Sequence, residues 1–487
     1  MIDRDAVRNN AKYLRNVRPI DPEEIAEYVP GGAHPAVVRQ TLREEAYDLA
    51  LRETDEGTFV PVDDDPVPQP GWQPREFPEP YSIALENLLV EEYGANWHRG
   101  DSGDRLRDAI RKLKEDYYYE NEVAYDHEAA LGYAIYHLPD YYAAIGYVLD
   151  DLTENALLDR TIRVLDVGAG TGGPALGLHD YLPDDAVVDY HAIEPSAAAD
   201  VLTQLLEETG RNFHETIHRE TAQSFFGLDA GGSDADAEAN ADSDDEPFDL
   251  VLFGNVLSEI EEPVPVVEAG IDALADDGTV VGLAPADLNT ATGLREIERE
   301  VAPPDGDVTV YSPTLRLWPD AAPSDRGWSF DVKPDLEVPA FQHRLDEAAT
   351  RADEEDLGEF RNVDVQYAYA ILRTDGERRV DVRADPQRQA RMADSEEHVT
   401  DRINLLAVKL SHDLADGGNP LFKIGDGSES VEHYAVSTRE TSLNRDLLEA
   451  DYGSILYFEN ALVLWNDDEE AYNVVVDDEV LVDLVAP

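Results

Sequence analysis

A glycine turn set between strand patterns constrains this chain more than any other stretch. Thr161 to Leu178 reads Thr-Ile-Arg-Val-Leu-Asp-Val-Gly-Ala-Gly-Thr-Gly-Gly-Pro-Ala-Leu-Gly-Leu. Ile162, Val164, Leu165 and Val167 form the short β-branched run of a buried strand, and Pro174 stands where a helix can begin. Gly168, Gly170 and Gly172 permit a sharp strand-to-helix bend. They also let backbone N–H groups approach a ligand without obstruction by Cβ atoms.

Two further strand ends extend the pattern. Val187 to Ile193 is a second strand candidate and ends in Glu194, where a carboxylate can hold a ribose diol. Asp166 and Glu194 thus bracket a nucleoside-sized crevice. Phe248 to Ile260 reads as a third buried strand ending at Gly254-Asn255, then a helix start. Strand ends of this kind form the rim on which an open α/β sheet binds ligands. A nicotinamide-type dinucleotide domain and a ligand-free α/β domain fit the same glycines.

Val-Leu-Asp-Val-Gly-Ala-Gly-Thr-Gly resembles the cofactor loop of class I S-adenosylmethionine-dependent methyltransferases. Ala-Ile-Glu-Pro-Ser resembles their ribose-binding strand end, and Phe-Asp-Leu-Val-Leu-Phe-Gly-Asn their fourth strand. The resemblance implies S-adenosylmethionine as cofactor, bound by Asp166, Gly168, Ala169, Gly170, Gly172, Glu194 and Asn255. It also implies Glu220, in Glu220-Thr221-Ala222, as an adenine contact. The fold class expected is α/β: a Rossmann-like methyltransferase sheet with an N-terminal helical region and a C-terminal OB-like β-barrel.

The segment from Glu128 to Ala144, Glu-Ala-Ala-Leu-Gly-Tyr-Ala-Ile-Tyr-His-Leu-Pro-Asp-Tyr-Tyr-Ala-Ala, resembles the helical lead-in of the mitochondrial-type small-ribosomal-subunit methyltransferase-like family. The resemblance runs from about Leu85 to Arg373 and implies the small ribosomal subunit and its rRNA as partners. Relatives often carry cysteines between Tyr311 and Phe330, and some bind an iron–sulfur cluster with them. Here Thr314 and Ser329 stand in their places, and the chain has no cysteine. No iron–sulfur cluster is therefore expected, and thiolate metal sites, disulfides and Cys nucleophiles are excluded.

Acidic residues outnumber basic ones, 106 against 38, for a formal net charge of −68. With 42% hydrophobic residues in ordered patterns, the chain reads as a folded protein of a salt-accumulating, halophilic cell. An ordinary acidic protein that avoids nucleic acid is the other reading. At about 1 M salt the Debye length falls to roughly 3 Å, so acidity does not exclude RNA, though binding must then lean on stacking and hydrogen bonds. No signal peptide and no run of 18 apolar residues is visible, so a cytoplasmic location without membrane contact is expected.

Along the chain, 1–65 reads as a small helical unit ending in a strand pair, winged-helix-like. A Pro-rich linker or wrap follows at 66–80, then a helical lead-in at 81–155 whose last helix breaks at Pro139. The cofactor domain spans 156–378, with a disordered acidic insertion at 229–247. A charged linker, 379–396, leads to the OB-like β-domain, 397–487, with about five strands. There Phe422, Tyr434, Tyr457 and Trp465 offer faces for stacking bases.

Methylation at pyrimidine C5 uses a cysteine, which is absent. The Asn/Asp-Pro-Pro-aromatic loop of amine methylation is reduced to Asn255. Asn255 and Glu259 are weak catalytic candidates beside plainer readings as a strand-end cap and a solvated helix residue. Three functions stay open: an RNA methyltransferase of the small ribosomal subunit, a catalytically silent S-adenosylmethionine-binding assembly factor, and a small-molecule methyltransferase. Oligomeric state is not legible.

Overall fold

The computed structural model describes residues 2–119, 121, 125–228, 246–319, 328–349 and 358–487. The acidic insertion expected at 229–247 thus lies, apart from Glu246 and Pro247, outside the described residues, as do Arg326 and Gly327. The chain divides into two units, 1–252 with 335–364, and 253–334 with 365–487.

The first unit opens with α1 (Arg4–Leu14), α2 (Pro22–Tyr28), α3 (Pro35–Glu44) and α4 (Ala46–Leu49), followed by the hairpin β1 (Leu51–Glu53) and β2 (Phe59–Pro61). Asp3 and Asp21 cap α1 and α2 by accepting the N–H groups of Ala6 and Glu23. Val7, Leu14, Ile25, Val38, Leu42 and Phe59 make the core of this module. Its hairpin is engaged: Glu53 N–H donates to Asn212 Oδ1 at 2.7 Å, and Arg211 donates to Thr54 O at 2.9 Å. Glu53 also holds Arg43 (2.6 Å) and Arg39 (3.4 Å), so those cations of α3 are paired.

The stretch at 66–80 is a wrap and not a free linker. Val67 and Phe77 are buried, and Trp72 Nε1 donates to Ala143 O at 2.9 Å. Helices α5 (Glu79–Tyr93), α6 (Gly100–Tyr118) and α7 (His127–Thr153) follow. Contrary to the expected break, α7 runs unbroken through Pro139. A proline removes the N–H that Ile135 O would accept. Gln342 supplies the replacement, its Nε2 donating to Ile135 O at 2.9 Å. Gln342 is fully buried on α13 (Ala340–Glu347), within the returning segment 335–364.

Four parallel strands follow: β3 (Thr161–Val167), β4 (Val187–Ile193), β5 (Phe213–His218) and β6 (Phe248–Gly254), ordered β5-β4-β3-β6. Helices α8 (Gly173–Tyr181), α9 (Ala198–Leu206) and α10 (Ala222–Phe225) connect them. The order reverses at β3, so the C-terminal ends of these strands form a topological switch point.

The end of β6, Phe253–Gly254, opens the second unit. There follow α11 (Pro263–Asp272), β7 (Leu274–Pro285), α12 (Leu288–Val301), β8 (Thr309–Ser312), β9 (Asp331–Lys333) and β10 (Val365–Arg373). The strand order β7-β10-β8 belongs to this unit, with β10 antiparallel to β7, β8 and β9.

The rest of the second unit is a closed barrel. Strands β11 (Arg402–Lys409), β12 (Leu421–Gly425), β13 (His433–Ser437), β14 (Ile455–Asn466) and β15 (Ala471–Val476) run in the order β11-β12-β13-β15-β14 and back to β11. The β13–β15 pair is parallel, and α14 (Asp446–Glu449) lies between β13 and β14 in sequence. A sixth strand, β16 (Leu481–Ala486), lengthens the sheet beside β14 and was not expected.

Two readings change here. Phe422 lies in the barrel core with Ile424, Phe458 and Val474, so it offers no stacking face. Of the other three aromatics, Trp465 is exposed, while Tyr434 and Tyr457 are half-buried. Residues 379–396 are no free linker either. Val380, Val382 and Ala384 pack with Leu317, Trp318 and Leu406, and Trp318 Nε1 donates to Asp426 Oδ2 at 2.7 Å.

Candidate functional site

The site is built where β3 and β4 end. Gly168, Gly170 and Gly172 have φ of 68°, 55° and 93°, the left-handed region that the turn between β3 and α8 requires. The N–H groups of Gly168 and Ala169 donate to Ile193 O at 2.9 and 3.2 Å, which ties the turn to the end of β4. Glu194, the next residue, is buried and divides its carboxylate: Oε2 accepts from Gly170 N–H and Oε1 from Ser196 N–H, both at 2.9 Å. Each oxygen keeps a further acceptor position, which suits a pair of vicinal hydroxyls.

Asp166 is fully buried beneath the turn. Its Oδ2 accepts the Tyr190 hydroxyl at 2.6 Å. Burial pushes this carboxyl up to about 7; the Tyr190 hydrogen bond opposes the rise and the nearby Glu194 charge adds to it. Glu220 follows β5, its Oε2 accepting the Ser224 hydroxyl at 2.7 Å, just before the Thr221 cap of α10. Glu194 N–H donates to His218 O, so the ends of β4 and β5 keep Glu194 and Glu220 on one rim.

Helix α7 forms a wall along the glycine turn. A Cβ at Gly170 would lie 3.8 Å from Tyr133, one at Gly173 2.8 Å from Tyr141 Cβ, and one at Gly177 2.3 Å from Tyr142 O. Tyr133, His137 and Tyr141 recur every four residues and therefore share one face of the helix. Their rings touch in sequence, Tyr133 to His137 at 5.0 Å and His137 stacked on Tyr141 at 5.0 Å. Tyr125 closes the wall, 5.4 Å from Tyr133, and its carbonyl accepts Ala197 N–H at 3.4 Å.

The first unit thus brings together Asp166, Gly168, Ala169, Gly170, Gly172, Glu194 and Glu220. Sequence reasoning missed His137 as a site residue; the Tyr-x-x-x-His-x-x-x-Tyr spacing was the available signal. Asn255 and Glu259 belong to the second unit. Asn255 is buried at φ 62°, and its N–H donates to Leu283 O at 3.0 Å. Glu259 is exposed at the end of a short 3-10 turn, Leu257–Glu259. Thr314 and Ser329 are both buried there, and Ser329 Oγ lies 3.2 Å from the Tyr452 hydroxyl. Among the described residues no group of three or more His, Cys, Asp or Glu side chains is placed to hold a metal ion, and no helix is long and apolar enough to cross a membrane.

Two family models match the ends of the chain. One, described as the domain of unknown function (DUF8157) N-terminal domain, covers residues 4–55; the other, its C-terminal domain, covers 393–485. No curated protein matches. Among solved structures, the plantazolicin methyltransferase BamL with a triazolic desmethylPZN analog and SAH is similar at 10% identity, covering 61% of this chain and 98% of that one, with a TM-score of 0.29. The plantazolicin methyltransferase BpumL with SAH gives 12% identity, 60% and 99% coverage, and 0.27. Precorrin 8w decarboxylase of Methanobacterium thermoautotrophicum gives 16%, 44% and 81%, and 0.24.

Proposed function

We propose that this protein is an S-adenosylmethionine-dependent methyltransferase that acts on RNA of the small ribosomal subunit. The observation that carries the cofactor reading is the Gly170–Glu194 hydrogen bond at the switch point of the β5-β4-β3-β6 order. It puts a glycine turn, free of side chains at three positions, and a buried carboxylate with spare acceptor positions on one rim, which fits a nucleoside and its ribose diol. The antiparallel β10 beside β7 and β8 agrees with the same reading.

When bound, the sulfonium cofactor would supply an electrophilic methyl group. The chain's own part is then chiefly alignment: the turn from Gly168 to Gly172 and Glu194 would fix the nucleoside, Glu220 would border the base, and the α7 wall would exclude water from the reacting side.

RNA as substrate rests on three supports. One is the lead-in resemblance at Glu128 to Ala144. Another is the barrel order β11-β12-β13-β15-β14, with its parallel β13–β15 pair, which agrees with an OB-like fold that binds single strands. The third is the four-helix module with its hairpin, which agrees with a winged-helix-like unit. A cytoplasmic, halophilic setting accords with a net charge of −68.

A second reading, a silent assembly factor that keeps the cofactor as a structural ligand, is favoured by one observation. Ser329 is fastened to Tyr452 in the segment where relatives carry cysteines. The deciding experiment is transfer of radiolabelled methyl from S-adenosylmethionine into 30S particles from a strain lacking this protein, in molar KCl. Label in the RNA is expected. Its absence, with cofactor binding and 30S association intact, would leave the assembly factor.

A further inference from the structure

His137 sits in the wall that faces the glycine turn, and the surrounding groups fix how its ring is presented. The imidazole lies between Tyr133 and Tyr141 on α7, with Tyr136 and Tyr117 edge-on at 4.9 and 6.3 Å. Its side chain keeps 17% exposure amid these rings.

The Nδ1 side is closed by Asn362, from the returning segment. Asn362 Nδ2 stands 3.0 Å from Asp140 Oδ2 and 3.3 Å from His137 Nδ1. The carboxylate accepts only, which fixes the amide nitrogen on that side, and an amide nitrogen can only donate. Asn362 is itself locked, because its N–H donates to Gln342 Oε1 at 3.0 Å and its carbonyl accepts Gln342 Nε2 at 3.1 Å. Asp140 Oδ2, 3.5 Å from Nδ1, is the weaker partner of the ring. Nδ1 accepting from Asn362 would put the ring proton on Nε2, whereas Nδ1 donating to Asp140 would leave Nε2 without one.

We propose that His137 is the substrate-positioning donor of this site, its Nε2–H directed to an acceptor on the methyl-accepting group. Under the methyltransferase reading, on which this rests, that acceptor is a carbonyl oxygen or an unprotonated ring nitrogen on a nucleobase edge. His137 then orients the substrate and takes no proton from it. No base is then needed from His137: the nucleophile attacks with its own lone pair, the C–S bond of the sulfonium breaks, and an N–H nucleophile releases its proton to solvent after transfer.

The test compares His137→Phe with His137→Gln in the full chain, because glutamine retains a side-chain N–H and phenylalanine does not. Calorimetry with S-adenosylhomocysteine should give affinities within about threefold of wild type for both, since the cofactor is held by the turn and Glu194. Transfer of label into 30S particles from a strain lacking the protein should show KM raised about tenfold for His137→Phe, with His137→Gln close to wild type. Equal losses in the two variants, or a loss confined to kcat, would overturn the donor assignment.

A readout independent of turnover is the tautomer of His137, read from its ring nitrogens by long-range proton–nitrogen NMR with His137→Gln to assign the signal. A proton on Nε2 is expected, and a proton on Nδ1 overturns the proposal. If wild type binds S-adenosylhomocysteine but labels no RNA, the methyltransferase reading fails and takes the substrate contact with it. If wild type labels RNA and both variants match it, only the role of His137 fails.

Discussion

At the scale of single residues, the Gly170–Glu194 contact links the turn to the ribose-side carboxylate, so both answer to one substitution. Gly170 has φ 55° and faces Tyr133. A β-branched side chain resists that backbone conformation and meets the wall. Gly170→Val is expected to lower S-adenosylmethionine affinity more than tenfold by calorimetry; retained affinity would count against the site. Asp166 gives a pH signature. Its carboxyl is lifted to about 7 by burial first, so the folded state holds the proton more tightly than the unfolded chain. The stability this contributes is full at a pH below the unfolded carboxylate value and is lost as pH rises through about 7. Between about pH 4 and 7, wild type should therefore lose Tm relative to Asp166→Asn, and the difference should level off above that range. The glycines and Glu194 were legible because a turn and a strand-end acid are local patterns. Tyr190 beneath Asp166 was not, since pairing between β3 and β4 sets that contact.

At the scale of elements, α7 shows how a remote side chain overrides a local rule. Pro139 predicts a break, and Gln342 repairs it by accepting the role of the missing N–H at Ile135 O. Gln342→Leu removes that donor and leaves a buried carbonyl unpaired. A loss of about 1–3 kcal/mol in denaturant unfolding is expected, and no change would mean water serves the carbonyl equally well. The same limit explains Phe422: alternation along β12 is symmetric from the sequence alone, and barrel closure by the β11–β14 pairing decides which face is inside. Helix α12, by contrast, is set by local signals alone, the Asp287 cap and an apolar period. Strand β16 was overlooked, since Leu481-Val482-Asp483-Leu484-Val485 is brief and lies at the edge of the pattern.

At the scale of the whole molecule, composition governs behaviour more than any contact does. A net charge of −68 imposes self-repulsion that added salt screens. Tm should rise as KCl is added, most steeply up to about 1 M, over which the Debye length falls from about 10 Å at about 0.1 M to about 3 Å; a flat or falling curve would remove the halophilic reading. Individual strands of the parallel sheet were readable from apolar runs, but their order was not, because hydropathy carries no information about neighbours. The repair of α7 has a further consequence in time. Ile135 and Gln342 are 207 residues apart. At an elongation rate of about 5–20 residues per second, the carbonyl of Ile135 waits roughly 10–40 s for its partner to leave the ribosome. Until then the wall beside the glycine turn is incomplete, so a nascent chain has its turn sequence long before it has a finished site.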